Sequence, residues 1–467
     1  MLWLRNDLRL RDHPALTAAA ADAERLLIVY CFDPRSDIEN VPGLARRGPR
    51  RQRFLAEALS SLRDGLRALG NELMLCHGLP ETMLPELAER HGVTRVHVHG
   101  EIGTEEQAAE QAVARALASH GATLARHWTR TLYHPDDLPF ALADMPRVFS
   151  PFRRKVEKHA AIRPPLPAPG ALPPAPTDGD FGEIVAGEPV RIDKRAVLAF
   201  RGGEQEAWAR VQGWIWERDH LRRYRDTRNG LLGADYSSKL SPWLALGCIS
   251  ARDVADQVAL YEQQRTANRS TYWLVFELLW RDFFSFTALA CGADLFRPTG
   301  PRGEPVTWRR DDAAFARWCE GRTGIPFVDA NMRELAHTGY MSNRGRQNVA
   351  SFLSGYLGLD WRLGAAWFEH ALLDHDVGSN WGNWAWNSGV GFDPRQRVFN
   401  VLGQAERYDR DGEYVRTWIP ELAGVDGAMI HAPWHLSAAS RQAQGAAEYP
   451  APMIDAEASI SPPWGEG

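Results

Sequence analysis

DHDVGSNWGNWAW, Asp374 to Trp386, sets two carboxylates one residue apart and crowds three Trp into its last six positions, with Asn380 just before the first Trp and Asn383 between the first two. Such a cluster is ordinarily a core helix with wet ends. Whether it is more depends on what the rest of the chain sets beside it.

A chain of 467 residues is long for one core and predicts two or three domains. With 44% hydrophobic and 24% charged residues it reads as globular protein. No apolar run reaches the length of a spanning helix, and MLWLRNDLRLRDHP is too charged for a signal peptide, so no membrane is expected. Cys31, Cys76, Cys248, Cys291 and Cys319 form no CxxC pair; neither a metal site nor a disulfide frame is indicated, and the cytoplasm is the simplest home. A net charge of −5 argues against indiscriminate coating of nucleic acid, though a local basic groove remains open. RDHLRRYRDTR, Arg218 to Arg228, reads as a solvated, self-paired helix face, and basic residues return at Arg344, Arg346 and Arg395.

Tryptophan divides the chain, since only Trp3 and Trp128 of the 18 precede residue 200. In the first part LWLR, RLLIVYCF, ELMLCHG, RVHVHG and TLARHW read as short buried strands, with helical stretches such as RRQRFLAEALSSLRDGLRALG between them. Alternation of this kind predicts a parallel sheet covered by helices. No GxGxxG follows the first strand, which takes the unit away from NAD binding. That first strand is short enough to suggest a start somewhat upstream. RPPLPAPGALPPAPTDGD, Arg163 to Asp180, reads as a semi-rigid surface connector. After about residue 205 the texture is helical with Trp in the apolar stripes. The expected organisation is an α/β domain over 1–130, a linker over 131–205, an all-α domain over 206–440 and a poorly ordered tail over 441–467, the whole a monomer.

Three stretches could carry chemistry. In YSSKLSPWLALG, Ser241 before Pro242 is a helix-start signal, with Ser237, Ser238 and Lys239 ahead of it; hydroxyls, free N–H groups and an ammonium suit a pyrophosphate, or simply an ordinary capped helix. In ELLWRDFF, Glu277, Trp280, Arg281 and Phe284 share one helical face, a poor core stripe and a good wall for a cavity that stacks on a base. NRGRQ, Asn343 to Gln347, brings two Arg to a helix start, where Arg346 could pair with Asp374.

With these stretches together, the chain resembles the photolyase/cryptochrome flavoprotein family, most closely its cryptochrome DASH branch. The likeness is carried by TRNGLLGADYSSKLSPWLALG (Thr227 to Gly247), ELLWRDFF, NMRELAHTGYMSNRGRQNVASFL (Asn331 to Leu353), DHDVGSNWGNWAW and DRDGEYVRTWIPEL (Asp409 to Leu422). RNDLRLRDHPAL, YCFDPR and TLYHPDDLPF carry it in the first half.

The resemblance implies FAD in the helical domain. Tyr224, Ser237, Ser238, Lys239, Leu240 and Ser241 would hold ribose and phosphates; Arg281, Asn343, Arg346, Asp374, Asp376 and Asn380 would surround ribityl chain and ring, with Asn380 facing the flavin N5. Trp384, Trp361 and Trp308 would relay an electron outward, leaving Trp381 as core. Glu277 would hydrogen-bond a flipped pyrimidine dimer and Trp280 stack on it, with Asn343, Arg344, Gln347, Trp386 and Gln404 toward the lesion strand. Ser342 and Gln347 stand where a (6-4) enzyme would need a His pair. Trp386, where DASH members often carry Tyr, resembles conventional photolyases and puts a strict single-strand preference in doubt. A 5,10-methenyltetrahydrofolate antenna would look to Glu101 and Glu157. The implied activity is light-driven repair of cyclobutane dimers in UV-damaged DNA, preferably single-stranded, without a metal. The rival is a blue-light receptor or nucleic-acid-binding regulator using the same flavin.

Overall fold

All five apolar runs read as strands form strands. In the structure, a computed structural model that describes residues 1–41, 43–177, 180–185, 189–392 and 398–455, they are β1 (Leu2–Leu4), β2 (Ile28–Phe32), β5 (Leu73–His77), β6 (Arg95–His99) and β7 (Thr123–His127). They pair in parallel in the order β5-β2-β1-β6-β7, while β3 (Glu39–Val41) and β4 (Leu44–Ala45) form a small hairpin apart. Side chains alternate across the sheet as strand geometry requires. Leu2, Leu4, Ile28, Tyr30, Leu73 and Leu75 join one core with helices Pro14–Ala21 and Pro49–Ala68. Trp3, Val29, Cys31, Met74 and Cys76 join another with helices Pro80–Arg90 and Thr104–Ser119. The register of β2 on β5 sets Cys31 beside Cys76, Sγ to Sγ 2.9 Å, although both are free thiols and 45 residues separate them in sequence.

The Pro-rich connector lies along the α/β half, where Pro173 O accepts from Asn71 Nδ2 at 2.6 Å and Pro174 O from the Leu26 amide at 3.0 Å, while the Leu172 amide donates to Leu69 O at 2.9 Å. Its Asp178 and Gly179 lie outside the described residues. Within the expected linker, helix Phe149–His159 buries Phe149, Phe152 and Val156, and its aromatic rings pack on Phe276, Phe283 and Phe286 of the 23-residue helix Arg269–Cys291. That stretch is part of the helical core. Part of the stretch expected as a poorly ordered tail, 441–449, is packed as well. Tyr449 is buried and donates to Asp329 Oδ2 at 2.5 Å, so the chain to 449 is packed, and 456–467 lie outside the described residues.

In sheets of this topology the strands diverge at a switch point, here between β1 and β6, where ligands ordinarily bind beyond the strand ends. The residues just past those ends, Asn6 and Glu101, face the helical half instead. Arg9 Nη1 donates to Gly247 O at 3.0 Å and the Leu8 amide to Leu246 O at 3.1 Å. Gly247 has φ +66°, and a Cβ there would lie 2.1 Å from the Asn6 carbonyl oxygen. Gly247→Ala should therefore lower the unfolding free energy by about 3 kcal/mol, read by chemical denaturation. An unchanged midpoint would mean that the seam opens without cost.

Candidate functional site

A cavity of about 410 Å³ gathers most of the residues singled out in the helical half. Its wall includes Tyr224, Ser237, Ser238, Lys239, Leu240 and Ser241, then Arg281, Asn343, Arg346, Asp374, Asn380 and Trp384. Glu277, Trp280, Gln347 and Trp386 line it as well. The expected face of helix Arg269–Cys291, Glu277 with Trp280, Arg281 and Phe284, is the face that borders it.

The Ser237–Ser241 loop is shaped from behind. Buried Arg210 donates to the carbonyls of Ala234, Ser237 and Ser238 at 2.8–2.9 Å and to Asp235 Oδ1 at 3.0 Å. With those carbonyls bound, the residues of the loop that border the cavity are left to contact what enters. Lys239 takes φ +53°, unusual for a side-chain-bearing residue. Ser241 does not cap the following helix. It lies inside Ser241–Ala245, whose cap position is Leu240, and its hydroxyl donates to Asp374 Oδ2 at 2.6 Å. Asp374 also takes Arg346 Nη2 on both oxygens, at 2.8 and 3.0 Å, the pairing expected from sequence.

Asn380 sits in helix Val377–Asn387. Its Nδ2 donates to Ala365 O at 2.9 Å, which leaves Oδ1, buried and without a partner among the described residues, as an acceptor in the cavity wall. Gln347 Oε1 is likewise buried and unpartnered. Buried polar atoms are rarely left so unless something fills the space.

Asp376 does not line the cavity. It caps helix Val377–Asn387 by accepting from the Ser379 amide at 2.8 Å, and its other oxygen is taken by Arg130 Nη2, with Arg281 Nη2 at 3.6 Å. These guanidinium groups hold its carboxyl far below the usual carboxylate range despite burial. Arg130 in turn pairs with Glu101 at 2.6 Å, which also accepts from Asn6 Nδ2 at 2.7 Å. The Arg130 carbonyl accepts from Arg281 Nη1, and Asp282 accepts from the Leu132 and Tyr133 amides at 2.8 and 2.9 Å. Glu101, expected at an antenna site, is thus consumed by the domain seam. Glu157 is engaged elsewhere, by Tyr272 Oη at 2.5 Å and Arg153 at 3.2 Å. Neither borders the cleft of about 510 Å³ between the halves, whose wall includes Arg46, Glu105, Glu106, Arg362 and Trp381.

At the other end of the cavity Glu277 is half-buried, paired with Arg228 Nη1 at 2.6 Å and accepting from Trp273 Nε1 at 3.0 Å. Desolvation raises its carboxyl, with Arg228 and Trp273 opposing. One face of Trp280 is covered by Phe149, ring centroids 3.7 Å apart and planes 9° apart, and Trp386 meets it edge-on at 6.5 Å. Arg344 and Gln404 meet away from the cavity, Nη1 to Oε1 3.3 Å, with Asn229 as a second acceptor for Arg344. Arg395 lies outside the described residues.

The tryptophans separate. Trp384 is in the cavity wall, and its indole rests so close over Gly364 that a Cβ there would lie 2.2 Å from it. Trp361 is fully buried on the same helix as Gly364, and Trp361 and half-exposed Trp308 both donate Nε1 to Pro298 O, at 3.1 and 2.9 Å. Trp381, expected in the core, is half-buried at the cleft and packs edge-on against Trp361 at 5.7 Å.

Residues 1–171 match the family described as DNA photolyase, and residues 273–461 that described as the FAD binding domain of DNA photolyase. A protein named cryptochrome DASH from Natronomonas pharaonis is 50% identical over 98% of both chains, and another from Gloeobacter violaceus is 50% identical over 97% of this chain and 93% of its own. The crystal structure of a Synechocystis cryptochrome agrees with TM-score 0.95 at 45% identity over 97% of this chain and 96% of its own. A class III photolyase from Agrobacterium tumefaciens agrees with TM-score 0.85 at 30% identity over 97% and 94%. The chain belongs to the photolyase/cryptochrome family.

Sequence reading missed Arg130, Arg210 and Arg228. Arg228 closes a run read as solvated, and nothing in the spacing says that its partner is Glu277. No motif announces an Arg whose partners lie tens to hundreds of residues away. Arg130→Met should leave two buried carboxylates without their cation and cost about 3–5 kcal/mol, measured by denaturation of the flavin-loaded protein; a loss under 1 kcal/mol would show that Arg281 alone suffices for Asp376.

Two buried groups beside the loop carry opposite pH dependence. Lys239 Nζ has no hydrogen-bond partner and lies 3.1 Å from the Tyr236 ring centre; burial, with Arg210 adding, pushes it down to about 6 against Glu334 and Asp235. Glu334, which accepts from Tyr414 Oη at 2.6 Å, is pushed up to about 8 by burial, against Tyr414, Lys239 and Arg346. From its ordinary 4.5 up to about 8, folded Glu334 keeps a proton that the unfolded chain releases, so its contribution to stability falls as pH rises. Above about 6, folded Lys239 has lost a proton that the unfolded chain keeps, so its contribution rises. Glu334→Gln removes only the falling part. Its stability relative to wild type, both flavin-free, should grow by up to about 1.4 kcal/mol per unit between about pH 5 and 8; a flat difference would show that Glu334 titrates at its ordinary value.

Proposed function

We propose that this cavity holds FAD, worked in its reduced form, and that the protein repairs cyclobutane pyrimidine dimers in DNA under blue light, with a preference for single strands. The observation that carries the reading is Asn380. One of its two amide N–H groups is committed to Ala365 O, and its unpartnered oxygen can only accept, which fits an N–H at the flavin N5 position. The donor set of the remaining wall suits the rest of the cofactor: Ser237, Ser238 and Lys239 with Tyr224 and Leu240 for the phosphates and ribose, and Arg281, Asn343 and the Arg346–Asp374 pair for the ribityl chain and ring. Ser241 and Asp376 act through others, Ser241 by orienting Asp374 and Asp376 by orienting Arg281.

The chemistry supplied by bound FAD is light-driven electron donation to the dimer and recovery of the electron once the cyclobutane ring has split. What the chain supplies is position. Glu277, steadied by Arg228, offers a hydrogen-bond partner to a pyrimidine edge; Trp280, backed by Phe149, offers its remaining face; Trp386 closes the slot edge-on. Asn343 and Gln347 lie beside them, and the Arg344–Gln404 pair lies where a lesion strand could run. Trp384, Trp361 and Trp308 form the route by which the flavin is recharged from the surface. For an antenna of folate type we assign the cleft at Trp381 instead of Glu101 or Glu157, since it offers a ring to stack on. Among the described residues no helix is long and apolar enough to cross a membrane.

The test is an anaerobic blue-light assay with a thymine dimer in a single-stranded oligonucleotide and in the matched duplex. Repair of the single strand, reduced about ten- to hundredfold in Glu277→Gln as for a lost hydrogen bond to a charged group, is the expected outcome. If light reduces the flavin and neither substrate is repaired, the protein is a photoreceptor and the repair reading is withdrawn.

A further inference from the structure

A second, smaller cavity of about 220 Å³ lies against the first and shares Trp280, Phe284 and Trp386 with it. Phe149, stacked on Trp280, forms part of its wall, so the aromatic partition between the two cavities is a pair of parallel rings on one side of the second cavity. Its lining is mainly apolar, with Arg147, Ser150 and Thr287 as the polar members. Thr287 is 4% exposed, yet its Oγ1 has no hydrogen-bond partner among the described residues. Arg147 is exposed, and its guanidinium lies 5.0 Å from the centre of the Phe392 ring. A packing defect among aromatic rings would have no reason to keep a buried hydroxyl unpaired. A slot for a flat ring with a polar edge would, and stacking on aromatic side chains is how unpaired bases are held.

We propose that this cavity receives the base of the nucleotide adjoining the lesion, stacked among the aromatic rings, with Thr287 hydrogen-bonded to its edge and Arg147 meeting the backbone phosphate outside. The inference rests on the reading of the main cavity as a dimer site and extends it. Continuity of the walls favours a neighbour in the same strand over an unrelated ligand: Trp280 and Trp386 stand between the two spaces as a divider between two successive rings. It also supplies a cause for single-strand preference. In a duplex a further base would have to leave its pair and its stack before it could enter, adding to the cost of flipping the dimer.

The test measures binding in the dark, by fluorescence anisotropy of the flavin-loaded protein, to single-stranded oligonucleotides that carry one thymine dimer. The base on the 5′ side or on the 3′ side of the dimer is replaced by an abasic residue. Loss of the base on one side should weaken binding about tenfold, within the range of one base–aromatic stack, and loss on the other side should change nothing. In Phe149→Leu, which removes a ring, and in Thr287→Val, which removes the hydroxyl and keeps the shape, the difference between base and abasic site should shrink to less than twofold. Equal binding of intact and abasic strands by the wild type, with the dimer still preferred over undamaged thymines, overturns the slot alone, as does a full difference retained by both variants. If the dimer is not preferred at all, the repair reading fails and the slot falls with it.

Discussion

One guanidinium, that of Arg130, lies between Glu101 of the α/β half and Asp376 of the helical half, buried from water on all sides. Desolvating three charges is expensive and is recovered only where every partner is in place. Here they are: Asn6 completes Glu101, the Ser379 amide completes Asp376, and Arg281 approaches from the cavity side. The ends of β1 and β6, where a doubly wound sheet would ordinarily bind its ligand, are therefore spent on fastening the other domain. The consequence reaches the cavity directly, because Asp376 starts the helix that carries Asn380, Trp384 and Trp386, and Arg281 is fixed by the Arg130 carbonyl. Sheet and cavity cannot shift independently.

At the cavity and behind its loop the same economy of charge continues by different means. Arg346 and Asp374 neutralise each other in contact, with Ser241 as the third member. Lys239 and Glu334 instead give up their charges, the ammonium pushed toward the free amine and the carboxyl toward the acid. A ligand with phosphate groups would reverse this at Lys239, since an anion beside a buried amine favours its charged form. The left-handed backbone at Lys239 and the carbonyls tied down by Arg210 mean that the loop is already shaped for that contact.

The fold was legible because its signals are local. Five apolar runs of strand length, a Pro-rich connector and Trp-bearing helical stripes each report on their own few residues, and a shared face such as Glu277, Trp280, Arg281 and Phe284 follows from helical spacing alone. The Arg346–Asp374 pair could be guessed because a buried carboxylate near an Arg-rich helix start needs a cation. What failed was long-range or depended on one exact turn. Ser241 looks like a cap, but the chain turns at Lys239 and moves the cap to Leu240. Glu101 reads as free for a ligand until Arg130, a residue with no motif around it, takes it. Tyr449 sits in a stretch with the composition of a loose tail, and its ring, packed with Tyr414 and Trp418 and bonded through its hydroxyl to buried Asp329, holds it.

The crowded tryptophans of Asp374–Trp386 resolve by helical geometry. At about 100° per residue, Trp381 and Trp384 are roughly 60° apart, while Trp386 points about 160° away from Trp384. One helix can thus send Trp381 to the inter-domain cleft, Trp384 inward against Gly364, and Trp386 toward Trp280 at the junction of the two cavities. Gly378 and Gly382 between them keep the remaining face thin, since a Cβ at Gly382 would lie 2.4 Å from the Phe284 ring. The helix can then lie close against Arg269–Cys291, which is what brings Trp386 and Trp280 within reach of each other. A side chain at position 382 would push the two helices apart and open the aromatic divider on which both cavities depend.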